Sequence, residues 1–204
     1  MLHAAPSNPL PLMEAFRTVQ GEGAHTGRPS FFMRIGGCDV GCHWCDVKES
    51  WDAQRHPLTP LDELISLPDD HDSIVVITGG EPLMWDMGPL TEGLRARGFR
   101  VHLETSGAYP VTGTWDWVCL SPKKTKAPLA EWYALANELK VIIFNDDDFK
   151  WAASHAAQCN AQVELFVQPE WSRRDQNIPK IIDFLEHHPN WRLGLQTHKY
   201  IGMP

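Results

Sequence analysis

The sequence predicts an α/β fold in which a parallel sheet curls into an incomplete, TIM-like barrel with a reduced set of helices. Three observations lead there. Short runs rich in Val, Ile, Leu and Phe alternate with helix-patterned segments, the arrangement that buries parallel strands beneath crossover helices. Several of those runs end in glycines or polar side chains, and in parallel α/β folds the C-terminal strand ends form the functional face. At 204 residues the chain is also shorter than the roughly 250 residues of a full eight-unit barrel.

Taken in order, the Pro-rich residues 1–12 are expected to form a loose arm, leaving 13–204 as one folded domain. Strands are expected at 13–20, 30–37, 73–80, 99–106, 115–122, 138–144, 163–169 and 191–199, each too short and too apolar for an independent helix. Helix 59–67 is predicted to start with Thr59 as N-cap and Pro60 in the first position, with acids in the first turn. Helix 87–98 ends in a basic turn and Gly98. Segment 145–157 opens on acids, and 177–189 carries an apolar stripe that stops at Pro189.

Apolar residues make up 43% and charged residues 22% of the chain, the balance of a soluble globular protein. The first residues lack the basic start and unbroken apolar stretch of a secretory signal, so a cytoplasmic location and no membrane association are expected. Net charge is -8 with Lys and Arg scattered, which offers no footprint for a nucleic-acid backbone and favours a small-molecule partner. Five cysteines, three of them clustered, point to metal or redox chemistry rather than disulfides. Cys119 and Cys159 stand alone and read as ordinary thiols.

The cluster is Cys38, Cys42 and Cys45, in the pattern C-x3-C-x2-C. Zinc is one reading, with His25, His43 or His56 completing a tetrahedron. A 4Fe-4S cluster is the other: thiolates hold three irons, and the fourth keeps an open position for an external molecule. Residue spacing leaves both open. Trp44, beside the third cysteine, suits either a core position or a shield over a cluster. Thr78 to Pro82, "TGGEP", directly follows the run "SIVVI". Glycines there make a tight turn or let backbone carbonyls approach a ligand.

The cysteine triplet, with an aromatic residue before its last member, followed by a strand and GGEP resembles the radical S-adenosylmethionine (radical SAM) superfamily. Within it, "VQGEGAHTGRPSFFMRIGGC", "LETSG", "LSPK", "NELKVII", "FVQP" and "LQTHKYIGMP" are similar to the 7-carboxy-7-deazaguanine synthase family, from about residue 13 to the end. The resemblance implies a carbon-nitrogen lyase, built as a partial barrel of the radical SAM type. It would convert 6-carboxy-5,6,7,8-tetrahydropterin to 7-carboxy-7-deazaguanine with loss of ammonia, on the way to queuosine. It implies a [4Fe-4S] cluster on Cys38, Cys42 and Cys45, SAM as regenerated cofactor, a flavodoxin or ferredoxin type of electron donor, and a homodimer.

By the same resemblance Trp44, Cys45, Asp46, Gly80, Glu104, Ser106, Ser121, Pro122, Lys123, Gln168, Pro169, Glu170 and Trp171 would form the SAM site. Substrate would meet Val19, Gln20, Gly21, Glu22, Arg34, Thr78, His198 and the terminal Pro204, with Glu22 and His198 as candidate catalytic groups. Arg34 suits a pterin carboxylate because a guanidinium presents a planar fork to it. One position departs from the family. Where relatives commonly read Cys-Asp-Thr, with the threonine hydroxyl on Mg2+, this chain reads Cys45-Asp46-Val47. Valine offers no oxygen, so only Asp46 or water would remain for Mg2+, and weak or absent Mg2+ stimulation is expected. Two rivals stand beside this reading: a small radical SAM activase, and a non-enzymatic α/β binding module stapled by zinc.

Overall fold

A computed structural model describes residues 8–204, and seven of the twelve residues assigned to the arm lie outside them. The first element of the described residues is β1 (Leu10–Val19), which pairs antiparallel with β2 (Pro29–Ile35) and, at its first residues, with the short β3 (Leu58–Thr59). From β2 onward the sheet is parallel: β4 (Ile74–Gly79), β5 (Arg100–Thr105), β6 (Trp117–Leu120), β7 (Glu138–Ile143), β8 (Glu164–Pro169) and β9 (Trp191–Leu193). Strand order is β3-β1-β2-β4-β5-β6-β7-β8-β9, so the two edge strands do not pair and the barrel stays open.

Among the described residues six α-helices accompany the sheet: α1 (Leu61–Ser66), α2 (Gly88–Ala96), α3 (Glu131–Leu135), α4 (Asp147–Ala156), α5 (Arg174–His187) and α6 (Thr197–Ile201). No α-helix connects β5 to β6, in keeping with the reduced complement expected. None of the helices among the described residues is long and apolar enough to cross a membrane.

Alternation along each strand sorts the two faces, because successive side chains point to opposite sides. On β7, Leu139, Val141 and Ile143 join the large core beneath the helices, while Lys140 and Ile142 face the inner cavity. On β4, Val75 and Ile77 belong to that core, and Ile74 and Val76 form a separate cluster with Phe32. Leu90 and Leu94 of α2 are completely buried against the outer face, each stabilising by about 1.5–3 kcal/mol relative to an exposed position. Hydrophobic burial on the outside thus leaves the inside free for polar groups.

Several boundaries differ from the sequence reading. Residues 10–12, expected in the arm, start β1: Leu10 is buried and pairs with Thr59. Thr59 is therefore a strand residue, and Pro60 is the N-cap of α1. The run 191–199 is a strand only through Leu193; Thr197, whose N–H donates to the Gly21 carbonyl, then begins α6. Helix α5 starts at Arg174, continuing a 3-10 turn whose cap is the Glu170 carboxylate accepting from the Ser172 backbone N–H. The five-residue α3 has too little periodic pattern to be read from sequence.

Candidate active site

The polar strand ends meet as expected. One cavity of about 270 Å³ opens at the C-terminal ends of the parallel strands, and it is lined by residues of β1 and the turn after it, by strand ends, by the segment after β9 and by the cysteine loop. Cys38, Cys42 and Cys45 all face it as free, half-buried thiols. Burial pushes the Cys38 and Cys42 thiols up, and the charges of the neighbouring cysteines push Cys38 further. Among the described residues no three His, Cys, Asp or Glu side chains are gathered closely enough to clasp a single ion.

The GGEP turn works by close approach. Gly80 lies so near the cysteine loop that an added Cβ would stand 2.2 Å from the Gly37 carbonyl oxygen and 3.0 Å from Cys38 Cβ. Backbone bonds from Gly80 to Ile35 and from Glu81 to Gly37, both 2.8 Å, tie turn to loop. Glu81 itself is buried: Oε1 accepts from Thr105 Oγ1 at 2.7 Å, and Oε2 from the Ser106 N–H and hydroxyl at 2.8 and 2.5 Å. Ser106 lines the cavity, but its hydroxyl is already committed to Glu81.

The remaining residues on the expected SAM side also line the cavity, with one exception. Trp44, Asp46, Glu104, Ser121, Lys123, Gln168, Pro169, Glu170 and Trp171 face it, whereas Pro122 lines a smaller neighbouring cavity of about 80 Å³. Pro122 follows Ser121 by one position, so the chain turns it to the other side. Lys123 donates to the Ser121 carbonyl and hydroxyl, both at 2.6 Å, and burial pushes its pKa down. Gln168 is buried, and its side-chain oxygen has no partner among the described residues.

On the expected substrate side Val19, Gln20, Gly21, Glu22, Arg34, Thr78, His198 and Pro204 all line the cavity. Arg34 and Thr78 are register partners on β2 and β4. Arg34 Nη1 donates to Glu14 at 2.7 Å and its guanidinium lies over the Phe16 ring, which leaves part of the fork for a ligand. His198 packs directly on Gly21, where a Cβ would stand 2.1 Å from Nδ1. Burial pushes His198 below its ordinary value, against the raising effect of Glu22.

Glu22 is the electrostatic centre of this side. Burial would push its carboxyl up, but Lys140 outweighs that and Gln196 assists, so the pKa falls to about 2. Asp46 accepts from Lys199 Nζ at 2.6 Å and from Gln196 at 3.3 Å. Burial raises that carboxyl too, and the Lys199 contact leaves it below the ordinary value. Val47 lines the cavity beside it. Sequence reading missed Glu81, Lys140 and Gln196. A lysine in the otherwise apolar run "LKVII" was the available sign, since a charge in a buried strand needs a partner.

The fold and this cavity define a radical SAM protein, and residues 33–118 match the family model of the radical SAM superfamily. A 7-carboxy-7-deazaguanine synthase of Flavobacterium psychrophilum is 57% identical over 96% of this chain and 93% of its own length. One of Synechocystis is 52% identical over 95% and 93%. The crystal structure of QueE from Escherichia coli superposes with a TM-score of 0.80 at 32% identity, covering 93% of this chain and 94% of that one. The chain belongs to the 7-carboxy-7-deazaguanine synthase family. Neither rival reading, activase or zinc-stapled module, is favoured by these relatives.

The family implies a 4Fe-4S cluster and SAM, and the donor set fits both. Three soft thiol donors on one loop face the cavity, as an iron-sulfur cluster requires. The glycine turn beside them and the unpartnered Gln168 oxygen leave room and an acceptor for a ligand.

Proposed function

We propose that this protein converts 6-carboxy-5,6,7,8-tetrahydropterin to 7-carboxy-7-deazaguanine with release of ammonia, as a radical SAM lyase of 7-deazapurine and queuosine biosynthesis. The observation that carries the reading is the convergence of the cysteine triplet, the GGEP turn and the C-terminal segment on one cavity, in a chain of this family.

In this reading Cys38, Cys42 and Cys45 would hold the cluster, and Gly80, Glu104, Ser121, Lys123 and Gln168 would receive SAM. When bound, these groups supply the one-electron chemistry that begins the ring contraction. The chain's own residues orient the substrate. Arg34 offers its remaining guanidinium N–H groups to the pterin carboxylate. Glu22, ionised at neutral pH, accepts from pterin N–H groups, and His198 beside Gly21 exchanges a proton at Nδ1 or Nε2. Thr78, Gln20 and Pro204 complete that wall. An electron donor of flavodoxin or ferredoxin type, a homodimeric assembly and a cytoplasmic location belong to the same proposal, as does one catalytic domain that starts with β1 at Leu10 rather than at residue 13.

Anaerobic reconstitution followed by incubation with the carboxytetrahydropterin, SAM and reductant tests it. The expected result is a brown protein that forms a deazapurine identified by its mass and ultraviolet spectrum. A colourless protein, or a brown one that leaves the pterin unchanged, overturns the reading.

A further inference from the structure

Lys140 stands in the middle of β7 with its side chain 5% exposed. Its ammonium donates to Glu22 Oε2 at 2.5 Å and to Glu104 Oε2 at 2.7 Å. Glu22 comes from the turn after β1, on the proposed substrate side; Glu104 comes from β5, on the proposed SAM side. The second oxygen of each carboxylate is also held. Gln196 Nε2 donates to Glu22 Oε1 at 2.9 Å, and Gln20 Nε2 to Glu104 Oε1 at 3.2 Å. Gln20 Oε1 in turn accepts the Glu22 backbone N–H at 3.1 Å. Lysine, two acids and a glutamine thus close a ring on the cavity wall.

An ammonium in that position is costly to bury and gives no packing advantage that an apolar side chain would lack. Its neighbours explain its presence. We propose that Lys140 is a positioning residue: its ammonium bridges Glu22 and Glu104 and fixes their separation, so that one buried charge sets both the pterin and the SAM side of the cavity. This rests on the functional reading above.

The charged and titratable groups around Lys140 are Glu22, Glu104, Glu138 on its own strand, Cys119 on β6 and Lys123 beyond β6. Glu138 does not compete. Burial pushes its carboxyl up, and its oxygens take the Ala24 N–H at 3.0 Å and the Cys119 thiol at 3.4 Å. Without the ammonium, Glu22 and Glu104 would face each other through a buried space. Like charges there disfavour double ionisation, so one acid would hold a proton at neutral pH and present a donor where a ligand needs an acceptor.

The holoenzyme and its Lys140→Met and Lys140→Arg variants decide this. SAM binding is followed by equilibrium dialysis from pH 6 to 8.5, and kcat and KM for the carboxytetrahydropterin over the same range. Lys140→Met is expected to bind SAM at least tenfold more weakly at pH 6 and to show a raised pterin KM. Both recover as pH rises and the trapped proton leaves, moving the acid limb up by at least one pH unit. Lys140→Arg keeps the wild-type limb, while its wider fork weakens both affinities together by threefold or more.

A folded Lys140→Met protein with wild-type iron content and unchanged pH profiles overturns the proposal. So does a loss that is equal at every pH. If Lys140→Met does not fold, Lys140→Arg decides, and unchanged affinities for both ligands overturn the proposal. Wild-type enzyme that binds SAM yet forms no deazapurine would instead overturn the functional reading, leaving the SAM-binding comparison to judge Lys140.

Discussion

Gln196 donates its side-chain amide to Glu22 Oε1 across 2.9 Å, joining segments 174 positions apart in the chain. Gln196 follows β9 and Glu22 follows β1, and the gap between the sheet's edges lies between them. Next to this bond the Thr197 N–H and hydroxyl both donate to the Gly21 carbonyl at 2.9 Å. The C-terminal segment therefore closes, by hydrogen bonds, a barrel that its strands leave open.

Gln196→Ala should accordingly weaken substrate binding more than it weakens the fold. A hydrogen bond to a charged group contributes about 1.5–3 kcal/mol, which predicts a rise in pterin KM of roughly tenfold or more. Lys140 still holds Glu22 ionised, so SAM affinity stays within about twofold of wild type. Steady-state kinetics with SAM titration checks both.

Gly80→Ala should loosen the cysteine loop. The new methyl would stand 2.2 Å from the Gly37 carbonyl oxygen, so either the loop or the turn must move, at a cost of about 1–3 kcal/mol. The expected outcome is lower iron content after anaerobic reconstitution with a far-ultraviolet circular dichroism spectrum like wild type. Full iron occupancy would show that the contact is dispensable.

Acid should destabilise the protein partly through His102. This side chain is buried on the inner face against His25 and Trp117, and Nε2 has no partner among the described residues. Burial, with the nearby His25 and Arg100 charges, pushes its pKa down to about 3. The folded state thus binds its proton later than the unfolded chain does near 6.5. Stability is full above about pH 6.5 and falls below it by about 1.4 kcal/mol per pH unit, until the folded histidine also protonates. His102→Phe should flatten urea midpoints measured between pH 6.5 and 4, apart from what Glu22 and other acids contribute.

Mg2+ should stimulate this protein weakly. Asp46 is occupied by Lys199, and Val47 faces the cavity without an oxygen. Val47→Thr would put a hydroxyl there, the kind of ligand Mg2+ accepts. Initial rates of metal-stripped enzyme with and without Mg2+ are expected to differ little in the wild type and several-fold in the variant. A large stimulation of the wild type would show that Asp46 or water suffices.

Much of this was readable from the chain. The strands of the parallel sheet follow from their apolar runs, and the cysteine triplet with GGEP carries the resemblance to the family. The misread boundaries have different causes: the start of α5 rests on a local cap, Glu170 on the Ser172 N–H, and others on a partner distant in sequence. Thr59 looks like a helix cap until Leu10 pairs with it. Residues 194–199 look like more strand, but after Gly194 bonds to Val167 on β8 the chain leaves the sheet and Thr197 donates to the Gly21 carbonyl instead. Pro122 sits among its motif neighbours in sequence, but the backbone turns it into the smaller cavity.

Sequence alone determined the chemistry available: soft thiol donors at fixed spacing, a glycine turn after a strand, and polar groups at strand ends. Those are local patterns, set by residue type and by the two-residue period of a strand. Only the tertiary structure decided how the charges are shared. Glu22, Glu104, Lys140 and Gln196 come from four separate segments. The hydrogen bonds among them depend on distances of a few ångströms across a buried space, where desolvation makes each pairing count. No spacing along the chain encodes those distances; the curl of the sheet and the closure by its C-terminal segment do.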